Sequence, residues 1–134
     1  MLDAAVKDLK EVGAIRKEAK GEWELTELGG HLARMPVDTR LARMLVFAAV
    51  FGCVEPALTI AATMSARSPF VAPFDQRDAA NKAKESFAKE KDRSDHILYV
   101  RVYEAWCDVK GRGGAAERAW CRENFLSSVG LRCV

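Results

Sequence analysis

The apolar positions of this chain repeat at helical spacing along most of its length and break that rhythm once, near the start. Leu2, Ala5, Val6 and Leu9 recur every three or four residues, and Gly13 follows where a left-handed cap would stop the helix. Between residues 14 and 26 the pattern shortens. Ala14-Ile15 and Trp23-Glu24-Leu25 read as two short strands around a polar stretch at 17–22, with Gly21 permitting the reversal. Thr26 then caps a helix that has Glu27 in its first turn and Leu28, Leu32 and Met35 on one face, and Pro36 ends it. A helix, a β wing and a second helix in this order match the C-terminal part of a winged-helix fold, without its front half.

From Val37 onward the rhythm is helical throughout. Asp38 or Thr39 caps a segment whose Leu41, Met44, Leu45, Ala48 and Phe51 form a core-facing stripe, closed by Gly52 and Cys53. Glu55 and a proline at the first helical position, Pro56, start a helix carrying Ala57, Ile60, Ala61 and Met64. Pro69 and Pro73 bracket a non-helical link that lays Phe70 and Phe74 onto the bundle. Residues 75–91 read as one largely solvated helix. Ser94 caps the next, with Asp95 at its positive end and Leu98, Val102, Ala105, Trp106 and Val109 as its stripe. A last helix occupies 115–126. The expected fold is mainly α: residues 1–36 supply a winged-helix remnant with a small β wing, and 37–134 supply a helical bundle.

Composition adds limits. A hydrophobic fraction of 49% beside 30% charged residues is that of a globular protein and argues against disorder. The net charge of +2 is too small to point to nucleic acid by itself. The longest apolar run, residues 44–52, falls far short of the ~20 residues a membrane crossing needs, and the start lacks a signal peptide's apolar core. An intracellular place, nucleus or cytoplasm, is expected, with no membrane partner. Cys53, Cys107, Cys121 and Cys133 show no CxxC spacing, so zinc and a disulfide framework are both disfavoured, and buried reduced thiols are expected. The direct start in a helical pattern and the abrupt end at Val134 suggest a piece of something larger.

Catalytic chemistry finds no constellation. A phosphate-binding loop needs a glycine-rich turn with a lysine for the phosphates, and no GxxxxGK[ST] occurs. Gly111-Arg112-Gly113-Gly114 reads as a linker, and His31 as a packing residue. Binding candidates remain. Arg77, Lys84 and Lys91 fall seven apart and share a helical face that could track phosphates, although acidic neighbours also fit a plain solvated face. Trp106 belongs to the core, and packing is also the simpler role for Trp23 and Trp120.

Several motifs in order carry a resemblance: LKEVGAI at 9–15, LTELG at 25–29, LARMPVDTRLARML at 32–45, RSPFVAP at 67–73, SDHI at 94–97 and ENFLS at 123–127. Together they resemble the helicase-associated region of DEAH/RNA-helicase-A-type ATP-dependent RNA helicases, over nearly the whole chain. RSPF before a charged helix, together with ENFLS, places the likeness on the RNA-helicase-A side rather than the splicing side. The resemblance implies a winged helix leading into a ratchet-like bundle. It also implies an accessory role in 3′-to-5′ movement on single-stranded RNA, with ATP and Mg held by RecA-like domains elsewhere in the parent and no cofactor in this chain. Partners so implied are single-stranded RNA, those RecA-like domains and an oligonucleotide-binding fold. By the same analogy Ser94, His96, Arg122 and Asn124 would face the strand, with Arg77 and Lys84 behind them. Helix capping by Ser94 and a turn brace by Asn124 are the competing structural roles. Three features depart from the family: a more charged wing at 16–22, Gly130 where a helix normally continues, and no oligonucleotide-binding fold. The alternative function is a protein-interaction scaffold that docks an activator and binds no nucleic acid.

Overall fold

The computed structural model describes residues 2–19, 21–89 and 92–134. In chain order it contains α1 (Leu2–Glu11), β1 (Ile15–Lys17), β2 (Trp23–Leu25), α2 (Glu27–Leu32), α3 (Thr39–Phe51), α4 (Val54–Ser65), α5 (Arg77–Ser86), α6 (Asp95–Lys110), α7 (Gly114–Glu123) and α8 (Ser128–Arg132). The fold is mainly α with one small antiparallel wing, as the pattern predicts. Its contacts form two compact units, Met1–Ala57 and Leu58–Val134.

In the first unit, α1 ends in a Schellman cap. Gly13 takes φ 78°, its N–H donates to Lys10 O, and Ala14 N–H donates back to Leu9 O at 2.9 Å. The chain then enters the wing, where Ile15 pairs with Leu25, Arg16 with Glu24 and Lys17 with Trp23. The register places Arg16 Nε 2.8 Å from Glu24 Oε2 and Lys17 Nζ 5.8 Å from the Trp23 ring, so two of the three cross-strand pairs are also a charge pair and a cation–π pair. Thr26 leaves the wing extended and caps α2. Its hydroxyl accepts from Gly29 N–H at 2.9 Å and donates to Gly13 O at 2.7 Å, tying the helix start to the end of α1.

The core of this unit is Val12, Ala14, Leu32 and Ala42, with Leu9, Leu28, Met35, Val37 and Val46 packed around it. It therefore runs past residue 36 into α3. Several expectations fail here. Helix α2 stops at Leu32 and turns through 3₁₀-like bonds from Arg34 and Met35 before Pro36, and His31 is exposed. On α3 the buried positions are Ala42 and Ala48, whereas Phe51 at the end of the expected stripe is 77% exposed. Asp38 caps α3 by accepting from Arg40 N–H, and Gly52 closes it with a second Schellman cap in which Cys53 N–H donates to Ala48 O. Pro56 is the third helical residue of α4, not the first.

The second unit is organised on α6. Leu98, Val102 and Trp106 line up one or two turns apart and pack with Cys121, Leu126 and Leu131, with Phe70, Phe87, Tyr103 and Trp120 around them. A buried indole N–H must find a partner, and Trp106 Nε1 donates to Glu117 Oε1 at 3.2 Å. Glu117 is itself buried, and its charge is met by Arg132, whose Nε and Nη2 donate to Oε1 and Oε2 at 3.1 and 2.7 Å. That bidentate pairing holds the Glu117 carboxyl below its ordinary range; burial opposes the shift and the Trp106 hydrogen bond adds to it. The helix α8 that carries Arg132 was not foreseen. Gly130 continues that helix, and a β-carbon there would lie 3.3 Å from Pro69 Cα, a reason for glycine at this departure from the family pattern.

Helices α5 and α7 end earlier than expected, at Ser86 and Glu123. The early end of α7 has a physical cause. Phe125 adopts φ 54°, its N–H donates to Arg122 O, and Leu126 N–H donates to Cys121 O at 2.8 Å, so a phenylalanine occupies the left-handed cap usually given to glycine. Of the cysteines only Cys121 is buried; Cys53, Cys107 and Cys133 are exposed, against expectation. No helix among the described residues is long and apolar enough to cross a membrane.

Candidate nucleic-acid interface

Within the second unit, Phe70 is where three of the sequence motifs meet. The link 66–76 runs alongside the end of α7 as an irregular antiparallel pair: Phe70 bridges Leu126, Val71 N–H donates to Phe125 O at 2.8 Å, and Ser127 N–H donates to Pro69 O at 2.8 Å. This joins the RSPF segment to ENFLS. The Phe70 ring then lies 6.1 Å from Tyr99 of α6 and 5.4 Å from Lys84 Nζ of α5. Lys84 Nζ also reaches Asp95 Oδ1 at 3.3 Å, which brings α5 to the start of the SDHI helix. Both partners are well exposed, so the ion pair stabilises by under about 1 kcal/mol and chiefly positions the lysine.

The predicted residues fall into three groups. Ser94, His96 and Lys84 cluster at the start of α6. Ser94 holds the N-cap position in extended backbone and its carbonyl accepts from Leu98 N–H, but its hydroxyl makes no capping bond. The expected side-chain cap is thus absent, and the half-buried hydroxyl is left for another partner. His96 is exposed in the first turn. A shallow depression of about 340 Å³ opens here, lined by Lys89, Asp92, Arg93, Ser94, Asp95 and Leu98. Its positive contributions are the free N–H groups of a 16-residue helix and the flanking cations. Arg101 Nη1 stands 2.7 Å from Asp92 Oδ2 and offsets that carboxylate.

Arg122 and Asn124 form the second group, at the end of α7. Arg122 is exposed, while Asn124 is half-buried and spends its amide Nδ2 on Trp120 O at 2.9 Å, the bracing role that sequence offered as its alternative. Among the described residues no hydrogen bond or ion pair joins either of them to Ser94, His96 or Lys84. Arg77 stands apart at the start of α5, exposed, with its guanidinium 5.1 Å from the Phe74 ring. Lys91 lies outside the described residues, and α5 stops at Ser86.

Sequence reasoning missed the aromatic part of this surface. It assigned Phe70 and Phe74 to packing, yet Phe74 is 87% exposed and Phe70 serves as a half-buried hub under Lys84. Phe74 follows Pro73 in a turn that runs straight into α5, and Phe70, inside the Pro69–Pro73 bracket, does pack against the core of this unit. Among the described residues no group of three or more His, Cys, Asp or Glu could hold a metal.

Comparison with known proteins bears on this architecture. Residues 38–99 match the model of the helicase associated domain (HA2), ratchet-like. The whole chain is 40% identical over 134 residues to the ATP-dependent RNA helicase dhx29 of Xenopus laevis, of which it covers 10%. It is 45% identical over 133 residues to the DExH-box ATP-dependent RNA helicase DExH1 of Arabidopsis thaliana, covering 99% of this chain and 13% of that protein. To the ATP-dependent DNA/RNA helicase DHX36 of Rattus norvegicus it is 43% identical over 130 residues, 97% of this chain and 12% of the relative. The chain thus spans roughly a tenth of the curated relatives it matches. With the ratchet-type match lying across α3 to the start of α6 and these relatives aligning over nearly every residue, the chain belongs to the helicase-associated region of the DEAH/DExH-box RNA helicase family.

Proposed function

We propose that this region helps line the single-stranded RNA channel of an ATP-dependent 3′-to-5′ RNA helicase, and that it couples cycling of the parent's RecA-like domains to movement of the strand. ATP and Mg belong to those domains; an oligonucleotide-binding fold is the other intramolecular neighbour. The observation that carries the reading is the open start of α6, where the Ser94 hydroxyl is unspent, His96 is exposed and Lys84 is tethered beside them. Hydroxyl, imidazole and ammonium at a helix N-terminus suit phosphate and ribose, and they read no base edge, as a wall passed by every sequence requires. Arg122 would add a phosphate contact, and Asn124 retains its amide oxygen for a ribose or base donor. The test is fluorescence anisotropy with a single-stranded oligoribonucleotide across a salt series. Affinity that falls with salt and weakens in Ser94→Ala and His96→Ala supports the reading, and salt-independent or absent binding overturns it.

One observation favours a second reading, a protein-docking surface. Phe47, Val50 and Phe51 lie on one side of α3 and are 41%, 73% and 77% exposed. Three apolar side chains at helical spacing suit a protein partner, either another domain of the parent or an activator. Phe51→Glu should then break that association and leave RNA affinity untouched.

A further inference from the structure

Phe74 is the most exposed large apolar side chain among the described residues. It sits at the second position of a turn closed by Gln76 N–H donating to Pro73 O at 3.1 Å, directly after a proline with fixed φ and directly before α5. Arg77, one helical turn on, holds its guanidinium 5.1 Å from the ring. The arrangement repeats two turns along the same helix, where Lys84 stands 5.4 Å from the Phe70 ring. Helix α5 therefore presents two cations, each paired with an aromatic from the preceding link, at a spacing of roughly 10 Å. An aromatic face flanked by cations is what single-stranded nucleic acid uses, bases stacking on rings while the backbone follows the charges.

We infer that Phe74, clamped by Arg77, is a base-stacking platform for a single-stranded nucleic acid, outside the cluster at the start of α6. The ring offers a flat apolar face, carried on a backbone turn set by Pro73 and the Gln76 N–H bond to Pro73 O. The guanidinium is available both to a stacked base and to the adjoining phosphate. This rests on the channel reading above and adds to it a contact to bases where that reading supplies contacts to the backbone.

The test uses the full chain and two probes of equal length, an oligouridylate and the same backbone with abasic sites. Wild type should prefer the strand that carries bases. Phe74→Ala should bind the oligouridylate roughly 5- to 150-fold more weakly, the range of a single lost base stack, with its affinity for the abasic strand unchanged. Phe74→Trp should restore binding. The 87% exposure of Phe74 makes misfolding an improbable cause of loss, and rescue by tryptophan excludes it. If wild type binds with the expected salt dependence but Phe74→Ala binds equally well, the platform is refuted and the channel reading stands. Absence of binding by wild type overturns both.

Discussion

The two glycines of the LTELGG segment, adjacent in one short helix, should respond to alanine with opposite signs. A β-carbon on Gly29 would overlap the carbonyl oxygen of Ala14 and lie 2.9 Å from its carbonyl carbon and 2.8 Å from Leu25 Cδ1. The Leu25 methyl could swing away. The carbonyl cannot, because Ala14 O accepts the Thr26 N–H at 2.9 Å and Ala14 is buried in the core of the first unit. Relief requires backbone movement of more than an ångström, which loosens that hydrogen bond and parts α2 from the wing. Overpacking of this kind costs about 1–3 kcal/mol, and a weakened hydrogen bond about 1 more. Nothing lies within 4 Å of a β-carbon on Gly30, and its backbone is helical, so Gly30→Ala should stabilise by about 0.5–1 kcal/mol through reduced freedom of the unfolded chain. Native-state amide exchange separates the two units that a global melt would blend. In Gly29→Ala the amides of Val12 and Ala42 should lose protection roughly 30- to 900-fold, in Gly30→Ala they should gain about 2- to 5-fold, and Val102 in the second unit serves as the reference. Wild-type protection in Gly29→Ala, or loss in Gly30→Ala, would refute the assignment of Gly29 as the point of close approach.

Two further outcomes probe the second unit. At Phe125 the left-handed backbone, φ 54°, disfavours any residue with a β-carbon, so Phe125→Gly should be more stable than Phe125→Ala by about 1 kcal/mol although both lose the ring. Urea midpoints read from Trp106 and Trp120 fluorescence check this, and an alanine variant at least as stable as glycine would contradict it. The Glu117 carboxyl is lowered in the fold from its ordinary 4.5, first by Arg132, so its contribution is complete above that pH and is lost as pH falls through 4.5 toward its folded value. Thermal midpoints of wild type should therefore drop across that acid window while those of Glu117→Gln, lower at pH 7, change less and converge on them. Parallel curves would remove Glu117 from the pH response.

What the sequence disclosed, and what it hid, divides along chemical lines. The ends of α1 and α3 were legible because glycine at 13 and 52 marks a left-handed cap, and the structure places both at positive φ. The end of α7 was not, because phenylalanine performs the same turn there and carries no such mark; the expected helix ran on to 126, and α8 behind it was lost. Thr26 and Asp38 were readable as caps because a short polar side chain before an apolar rhythm has few other uses. Ser94 looked the same and yet makes no capping bond, a choice set by side-chain rotation that spacing cannot encode. Of the six predicted site residues, Arg77 and Lys84 came first from their seven-residue spacing, and Ser94, His96, Arg122 and Asn124 from family likeness. The joining of RSPF to ENFLS beside Phe70 depends on a link between prolines folding back along the end of α7, a long-range pairing with no local signature.

The charges of the second unit limit how tightly it can hold a strand alone, and that limit suits the proposed role. Arg132 is committed to the buried Glu117, Arg101 to Asp92 and Lys84 in part to Asp95. Of the predicted cations, Arg77 and Arg122 stay exposed. Two phosphates neutralised on a single strand give a slope of log affinity against log salt of about −1.4, a loss of only about sevenfold between 50 and 200 mM. A wall that must let go at every step cannot grip more firmly without slowing the motor that moves the strand. A measured slope steeper than about −4 would need roughly six or more phosphate contacts, more than Arg77, Lys84, Lys89, Arg93 and Arg122 together supply, and would place the strand on a different surface.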